Sequence, residues 1–349
     1  QVREAIGVVG VITPWNFPTQ IPSWKIAPAL LWGNTIVWKP ASDIPAISHA
    51  FAKLFHDAGV PAGVLNLILA SGRVASAMVQ SPHVGALSFT GSVPVGKIIS
   101  EAAIARGVKV QLELGGHNAA IVMPDVDSVF AAKQLTVGAM SGSGQKCTAT
   151  RRIITVGDAH ESFVAALRSE VEALVVGPGG QAGVTTGPVI SAAAKKEIED
   201  AVSDAVSQGG KIIAQAKLPE GPGFYVAPTV LEGDMTLRTC KEEVFGPVTT
   251  VMNVASLEEA IETANATEFG LTASIFSASD ADIQLATTGL IAGLIKINAP
   301  NTGSELHVPF GGLKGSTFPG PREQNAESVA EFFTITKSVY RRVAPRRQP

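Results

Sequence analysis

The chain is poor in cysteine and in charged residues, and each shortage excludes a class of protein. Two cysteines in 349 residues, Cys147 and Cys240, cannot supply a disulfide framework, so we expect a reducing compartment, the cytoplasm. Only 16% of the residues are charged and the formal net charge is −3, which gives no basic surface for nucleic acid. The cysteines and six histidines form no ligand pattern, so we predict no metal site.

Long apolar runs and a leader sequence are also missing. No run approaches the roughly 18 residues that a membrane span needs, and residues 1–30 hold no basic segment followed by an apolar one. We therefore expect neither a membrane partner nor a signal peptide. Apolar residues are abundant instead, at 46%, enough for a large core. The chain starts at Gln1 rather than Met, from which we expect it to be processed, truncated or only partly represented.

Short β-branched runs alternate with segments of helix length, which predicts mostly parallel, doubly wound sheets. A loop-rich stretch is expected at 177–223, and a domain boundary near Gly115-Gly116. The predicted domains cover 1–114, 115–315 and 316–349. The predicted strands are 8–12, 35–39, 64–69, 86–90, 109–113, 118–122, 152–156, 248–253 and 294–298, and the predicted helices are 19–31, 45–58, 74–80, 93–106, 126–140 and 160–175.

One cysteine lies in a loop of small residues, Ser141-Gly142-Ser143-Gly144 followed by Gln-Lys-Cys147. Glycines let backbone amides approach a ligand, and no apolar wall surrounds the thiol. A nearby cation, Lys146, would favour the reactive thiolate. A lone cysteine is more often an inert small hydrophobic residue, and we interpret Cys240, which lacks such a loop, as structural.

An acid between two leucines, Glu113, ends a predicted strand beside Gly115-Gly116. Poor solvation there would raise the pKa of the carboxyl and suit a general base near neutral pH. An exposed carboxylate at a turn is an equally good interpretation of this motif alone.

An amide side chain, Asn16, follows the first predicted strand between Pro14 and Pro18. Ligands gather at the carboxyl ends of strands in open α/β sheets, and a rigid donor there could stabilise an oxyanion. Taken alone, Asn16 could also be a turn-capping residue.

A strand, a glycine turn and a helix succeed one another at Phe89-Thr90-Gly91-Ser92. This arrangement points amide N–H groups and the helix dipole at a possible phosphate. It matches neither the dinucleotide-binding glycine fingerprint nor the Walker A pattern, so the signal is weak by itself.

These motifs gain weight from their order along the chain. Together they resemble the aldehyde dehydrogenase superfamily over residues 8–340. The resemblance implies an α/β fold with two doubly wound parallel-sheet domains and a β oligomerisation segment. The seven motifs are Trp15-Asn16-Phe17-Pro18, Lys39-Pro40-Ala41, Phe89-Thr90-Gly91-Ser92, Glu113-Leu114-Gly115-Gly116, Gly144-Gln145-Lys146-Cys147, Glu242-Glu243-Val244-Phe245-Gly246-Pro247 and Pro309-Phe310-Gly311-Gly312-Leu313-Lys314.

The resemblance implies that Cys147 attacks an aldehyde to form a thiohemiacetal, whose oxyanion the Asn16 amide would hold. Hydride transfer to NAD or NADP would leave a thioester, which water activated by Glu113 would hydrolyse. By the same resemblance, one set of residues matches cofactor contacts and another lines the aldehyde channel. The cofactor set is Trp15, Lys39, Ser42, Gly72, Gly91, Ser92, Glu243 and Phe245, and the channel set is Trp24, Ser304 and Phe310.

The chain departs from the family pattern in three ways. Ser42 stands where NAD-preferring members carry a glutamate, which makes NADP plausible. His117 follows Glu-Leu-Gly-Gly where the family has lysine, and the sequence offers no account of this change. The segment that precedes the equivalent of Val8 in family members is absent, which puts activity and assembly in doubt.

The substrate and the assembly are expectations from the same resemblance. The stretch 309–324 is similar to the branch that oxidises semialdehydes such as 2-oxoglutarate semialdehyde, and Ser304 is small and polar where other branches place a bulky residue. The strand-like tail 332–340 resembles the assembly segment, so we expect a homodimer or a homotetramer.

Three other functions remain open at this level. A cysteine hydrolase would need a histidine base in a protease-like signature, and none of the six histidines lies in one. A CoA-acylating dehydrogenase would release the thioester to CoA, but Glu113 favours hydrolysis. A catalytically impaired fragment that only binds nucleotide gains weight from the absent N-terminal segment.

Overall fold

The computed structural model describes residues 1–320 and 324–344 and divides the chain into two compact units. The first unit comprises 1–90, 94–112 and 322–349, and the second comprises 91–93 and 113–321. The sequence-based domain limits stay a prediction. Residues 321–323 of the predicted semialdehyde-type stretch and 345–349 of the predicted C-terminal segment lie outside the described residues.

The first unit is built on a five-stranded sheet. Its elements are β1 (Val2–Ala5), β2 (Val8–Thr13), α1 (Gln20–Leu31), β3 (Thr35–Pro40), α2 (Pro45–Asp57), β4 (Leu65–Leu67), α3 (Gly72–Gln80), β5 (Val84–Thr90), α4 (Val93–Arg106) and β6 (Lys109–Glu113). The sheet order is β4-β3-β2-β5-β6, and β2 pairs in parallel with both β3 and β5. The predicted alternation of strands and helices is confirmed here, and no predicted limit differs from the observed one by more than two residues.

Helices cover both faces of this sheet. Val9 and Val11 of β2 pack with Ile26 of α1 in one buried cluster. Successive strand residues point to opposite faces, so Gly10 faces the other side, where Met78 of α3 lies against it. The five-stranded sheet is therefore doubly wound.

The second unit contains a larger sheet. Its elements are β7 (Asn118–Val122), α5 (Ser128–Met140), β8 (Thr150–Val156), α6 (Ala159–Glu172), α7 (Ala192–Ser207), β9 (Lys211–Gln215), β10 (Thr229–Glu232), α8 (Arg238–Lys241), β11 (Val248–Val254), α9 (Leu257–Asn265), β12 (Phe269–Gly270), β13 (Thr272–Phe276), α10 (Asp280–Gly289), β14 (Leu294–Ile297) and β15 (Leu313–Lys314). The order is β14-β13-β7-β8-β11-β10-β9, parallel except for the antiparallel edge strand β9.

The central strands of this sheet are buried along their whole length, as expected when helices cover both faces. One core cluster includes residues of α7, α9 and α10, and the other includes residues of α5 and α6. The two sheets confirm the predicted α/β class. In the described part of the chain no helix is long and apolar enough to cross a membrane.

The chain then returns to the first unit with α11 (Ser328–Phe333) and β16 (Thr334–Lys337). β16 pairs antiparallel with β1, and Phe332 and Phe333 are buried in the cluster around Trp38. The prediction of a strand over 332–340 is confirmed only for Thr334–Lys337. Its first two residues end α11, because their rings pack into that core, and residues 338–340 form no strand. The role of the β1–β16 pair in assembly stays a prediction.

The predicted loop-rich stretch 177–223 is also wrong in its middle. It contains the strand β9 and the helix α7, which is 16 residues long. The helix begins after Ser191 because the Ser191 hydroxyl accepts a hydrogen bond from the Ala194 N–H at 3.1 Å. Only Ile198, Ala201 and Ala205 of this helix are buried, so the sequence shows few apolar residues at helical spacing. The glycine and proline clusters at both ends of the stretch therefore favoured the prediction of a loop.

Candidate active site

The second unit presents Cys147 from a strained loop, residues 141–148, here called the nucleophile loop. After α5 ends, Gly142, Ser143 and Gly144 take left-handed backbone angles, with φ of 62°, 56° and 63°. The Ser143 hydroxyl donates to the Gly187 carbonyl at 2.9 Å, which holds this non-glycine residue in place. Cys147 is half-buried and a free thiol, whereas Cys240 is fully buried.

The nucleophile loop lies directly against the segment 242–247. A Cβ on Gly144 would collide with the Gly246 carbonyl, so this close approach requires glycine. The buried Arg151 guanidinium spans the same contact, donating to the Gly246 carbonyl at 2.7 Å and to the Gly144 and Lys146 carbonyls at 2.8 and 3.2 Å. It also lies 5.7 Å from the centroid of the Phe245 ring. Arg151 therefore joins the two segments that carry the predicted nucleophile and a predicted cofactor contact.

Two carboxyl groups are placed around this loop. Glu113 ends β6 with only 2% exposure, and its carbonyl accepts the Gly91 N–H at 3.0 Å. Glu243 Oε1 accepts the Gly116 N–H at 3.0 Å, and Gly116 packs so closely on the Cys147 carbonyl that a Cβ there would collide with it. The structure thus brings three predicted site residues, Cys147, Glu113 and Glu243, into one cluster.

This surrounding controls the ionisation of the thiol. Burial raises the pKa of Cys147 to about 12, and the Glu243 and Glu113 carboxylates add to the shift by repelling a thiolate. Burial also raises the pKa of Glu243, although Arg151 opposes that shift. The expectation that Lys146 favours the thiolate is wrong, because its ammonium donates to the Ser141 hydroxyl at 2.7 Å while the Glu243 and Glu113 carboxylates act on the sulfur.

Asn118 holds the backbone carbonyl of the nucleophile, and the sequence did not identify it as a site residue. Its amide group donates to the Cys147 carbonyl at 2.7 Å and the Ala149 carbonyl at 2.8 Å, and its oxygen accepts the Thr272 N–H at 3.1 Å. Asn118 is the first residue of a buried strand. A polar asparagine at such a position, with no turn to require it, was the sequence signal that could have identified it.

The remaining predicted residues of the second unit are Gly91, Ser92, Ser304 and Phe310. Ser92 is exposed in the turn before α4, so the strand–turn–helix prediction for this region is confirmed as local structure. Phe310 is buried and Ser304 half-buried, both after β14. No group of three or more His, Cys, Asp or Glu side chains that could hold a metal ion occurs within residues 1–320 and 324–344.

The first unit holds the other predicted residues. Trp15 and Asn16 lie half-buried in the loop at the carboxyl end of β2, and Trp24 is buried in α1. Lys39 lies near the end of β3, where burial lowers the pKa of its ammonium and the Asp43 carboxylate partly offsets that effect.

Lys39 also lines a cavity of about 340 Å³ in the first unit. The other walls are mainly apolar and include Val8, Val37, Val74 and Met78. Two further predicted contacts are close in sequence to this wall: Gly72 opens α3, and the Ser42 hydroxyl donates to the Ala70 carbonyl at 3.4 Å.

Comparison with known proteins identifies the family. The model of the "Aldehyde dehydrogenase family" matches residues 1–339. The chain belongs to the aldehyde dehydrogenase family. It is 41% identical to alpha-ketoglutaric semialdehyde dehydrogenase of Bacillus subtilis, covering 97% of this chain and 70% of that protein. It is 39% identical to alpha-ketoglutarate semialdehyde dehydrogenase of Haloferax volcanii, with 97% and 71% covered.

Solved structures of other aldehyde dehydrogenases share the fold. A crystal structure of Staphylococcus aureus betaine aldehyde dehydrogenase in complex with NAD+ matches with a TM-score of 0.92 and 34% identity, covering 96% of this chain and 67% of that one. The predicted membership and fold class are therefore confirmed. This aldehyde dehydrogenase is an oxidoreductase that acts on aldehyde groups.

The structure also explains the histidine that departs from the family pattern. Arg152 Nε donates to His117 Nδ1 at 2.8 Å, so the ring carries its proton on Nε2 and donates to the Thr239 carbonyl at 3.1 Å. Burial lowers the pKa of His117 to about 3, and the Arg152 and Arg151 charges add to the shift. His117 in this aldehyde dehydrogenase is a neutral core side chain that orients Arg152.

Proposed function

We propose that this aldehyde dehydrogenase oxidises a carboxylated semialdehyde to the acid with NAD+ or NADP+, through a thioester on Cys147. The observation that carries the proposal is the cluster of a half-buried thiol with two buried carboxyl groups in the second unit. A nucleophile and a general base at one point are what covalent oxidation and hydrolysis require.

The first step is attack of Cys147 Sγ on the aldehyde carbon. The thiol proton passes to a neighbouring carboxylate, for which Glu243 is suited because burial has raised its pKa. The oxygen of the thiohemiacetal becomes the oxyanion, and we assign the Asn16 amide and the Cys147 N–H as its donors. Arg151 donates to the Lys146 carbonyl at 3.2 Å and so fixes the peptide plane that carries the Cys147 N–H. Asn118 holds the carbonyl on the other side of Cys147 at 2.7 Å.

In the second step the thiohemiacetal loses a hydride to become a thioester, and water then hydrolyses the thioester. NAD(P)+ supplies a hydride acceptor when it is bound. Once the thioester has formed, Glu113 takes a proton from water, whose oxygen attacks the thioester carbon. The C–S bond breaks, the acid leaves, and the sulfur recovers a proton. The Glu113 carboxyl is buried next to the nucleophile, where a base for this water is needed.

The residues present fit a nicotinamide dinucleotide. The 340 Å³ apolar cavity of the first unit, with the Lys39 ammonium in its wall, can take an adenosine, and the turn before α4 offers N–H groups to phosphate. The proposed contacts on this chain are Trp15, Lys39, Ser42, Gly72, Gly91, Ser92, Glu243 and Phe245. The S. aureus betaine aldehyde dehydrogenase structure, which is in complex with NAD+, supports this choice.

The substrate class and the assembly complete the proposal. The B. subtilis and H. volcanii relatives, both named for an alpha-keto semialdehyde, support a semialdehyde substrate. We assign Trp24, Ser304 and Phe310 to its channel. We also propose a homo-oligomer, a dimer or a tetramer, in which the β1–β16 pair takes part; light scattering of the eluted chain measures its mass.

Absorbance at 340 nm tests the proposed function. With NAD+ or NADP+ and an aldehyde panel, the wild-type chain should produce NAD(P)H and the free acid, and Cys147→Ser should produce neither while still binding NAD(P)+. Cys240→Ser is the matched control and should remain active. Acid formation by Cys147→Ser at the wild-type rate would remove the proposal.

A further inference from the structure

The Lys146 ammonium is a half-buried cation one residue away from the nucleophile. In the described chain no carboxylate lies within ion-pair distance of it, and burial alone accounts for the lowering of its pKa. Its one hydrogen bond goes to the Ser141 hydroxyl at 2.7 Å. An ammonium has three N–H donors, so two remain for another acceptor.

A purely structural role would explain part of this placement. Ser141 caps the C-terminus of α5, where its hydroxyl donates to the Val137 carbonyl. A cation is favoured at a helix C-terminus. That role uses one donor and leaves the half-buried charge without an anion.

The charges around Cys147 indicate a second role for the Lys146 ammonium. Glu113 and Glu243 make the surroundings of the sulfur negative, which would repel an aldehyde that carries its own carboxylate. Arg151 cannot offset this repulsion, because it is 2% exposed and donates to three backbone carbonyls. Arg152 is buried and committed to His117 and nearby carbonyls in the same way. Lys146 is the cation on this loop and strand that keeps both exposure and free donors.

The reach of the side chain suits a short semialdehyde. Neighbouring Cα atoms lie about 3.8 Å apart, and the lysine stem extends the ammonium by roughly 6 Å. In 4-oxobutanoate, three carbon–carbon bonds of about 1.5 Å each place the carboxylate carbon roughly 4 Å from the aldehyde carbon. We propose that Lys146 binds the remote carboxylate of a semialdehyde whose aldehyde carbon is attacked by Cys147, and so selects anionic over neutral and cationic aldehydes. This inference rests on the proposed function.

Paired substrates test the inference. 4-Oxobutanoate and butanal have the same chain length and differ by the carboxylate, and betaine aldehyde carries a positive charge. We expect Lys146→Met to raise KM for 4-oxobutanoate roughly 10- to 100-fold, the range for a hydrogen bond to a charged group, and to leave kcat/KM for butanal within about twofold. Lys146→Arg should restore most of the preference, and Lys146→Glu should favour betaine aldehyde. Lys133→Met, which removes an exposed lysine from α5, is the matched control and should change neither ratio.

The possible results distinguish failure of the Lys146 inference from failure of the proposed function. Equal losses for 4-oxobutanoate and butanal in Lys146→Met would overturn the inference in favour of the helix-end role. A wild-type chain that oxidises butanal as well as 4-oxobutanoate would also overturn it, while leaving aldehyde oxidation intact. Absence of NAD(P)H formation with every aldehyde would instead remove the proposed function. A rise of KM for 4-oxobutanoate with ionic strength in the wild type, absent for butanal, supports the ion pair.

Discussion

Replacement of Arg151 tests whether the nucleophile loop depends on its link to segment 242–247. In Arg151→Met the Gly246, Gly144 and Lys146 carbonyls lose the donors they now have at 2.7, 2.8 and 3.2 Å. The Gly246 and Lys146 carbonyls keep the Val248 and Ala149 N–H groups as donors at 2.8 and 3.1 Å, so the group left unsatisfied is the Gly144 carbonyl, at a cost of about 1 to 3 kcal/mol. The two other lost hydrogen bonds from the charged guanidinium add to this cost, and relief of the buried cation's desolvation offsets part of the total. We expect a net loss of about 3 kcal/mol in the free energy of unfolding. At ~3 °C per kcal/mol, Tm should fall by about 9 °C.

Activity should fall further than stability alone explains. A displacement of the thiol by about 1 Å can cost roughly 100-fold in kcat, and we expect a loss of that order at temperatures where the variant is folded. Arg151→Lys keeps a charge but not the planar fork of donors, so it should recover stability more than kcat.

Thermal unfolding by circular dichroism and steady-state kinetics measure the two effects of Arg151. Arg168→Met is the control, because Arg168 is exposed and donates Nε to the Ile213 carbonyl at 2.7 Å; its loss should cost no more than about 0.5 kcal/mol. An Arg151→Met variant with the Tm and kcat of the wild type would refute the reasoning.

Two other predictions concern ionisation and cofactor choice. Alkylation of Cys147 by iodoacetamide in the ligand-free chain should keep rising about tenfold per pH unit past pH 9, because the thiolate forms only as pH approaches a pKa of about 12. Glu243→Gln removes a repelling carboxylate, so it should lower the thiol pKa and speed alkylation at pH 8; a wild-type plateau below pH 9 contradicts this. Ser42→Glu adds a carboxylate that would repel the 2′-phosphate of NADP+. It should therefore lower kcat/KM for NADP+ relative to NAD+ roughly tenfold. Asp43→Asn removes the charge that acts on Lys39 and should shift the ratio the other way; a strong NAD+ preference that neither variant changes counts against NADP+ use.

Much of the fold was predictable because local pattern and tertiary structure agree in it. The limits of α4, β6 and β7 match the sequence prediction residue for residue. These segments have clear apolar runs or glycine and proline limits, which local physics determines. The helix α7 was not predictable in the same way, because it buries only three residues and its formation depends on packing against the larger sheet.

The candidate site was predictable in its motifs but not in its connections. Cys147, Glu113 and Glu243 each stand in a motif that can be read locally. The links through Arg151 and Asn118 join residues up to 154 positions apart, so no local pattern reports them. The ionisation of the thiol was missed for the same reason: Lys146 is adjacent in sequence, yet the two carboxylates that control the sulfur come from distant segments.

Intact-mass spectrometry of Glu113→Gln tests the central claim most directly. With NAD(P)+ and an oxidisable aldehyde, this variant should form one equivalent of NAD(P)H and gain the mass of one acyl group, mapped to Cys147, because the thioester forms but its hydrolysis lacks a base. Cys147→Ser should show neither signal. Steady turnover of Glu113→Gln at the wild-type rate, or an acyl group on a residue other than Cys147, would contradict the account.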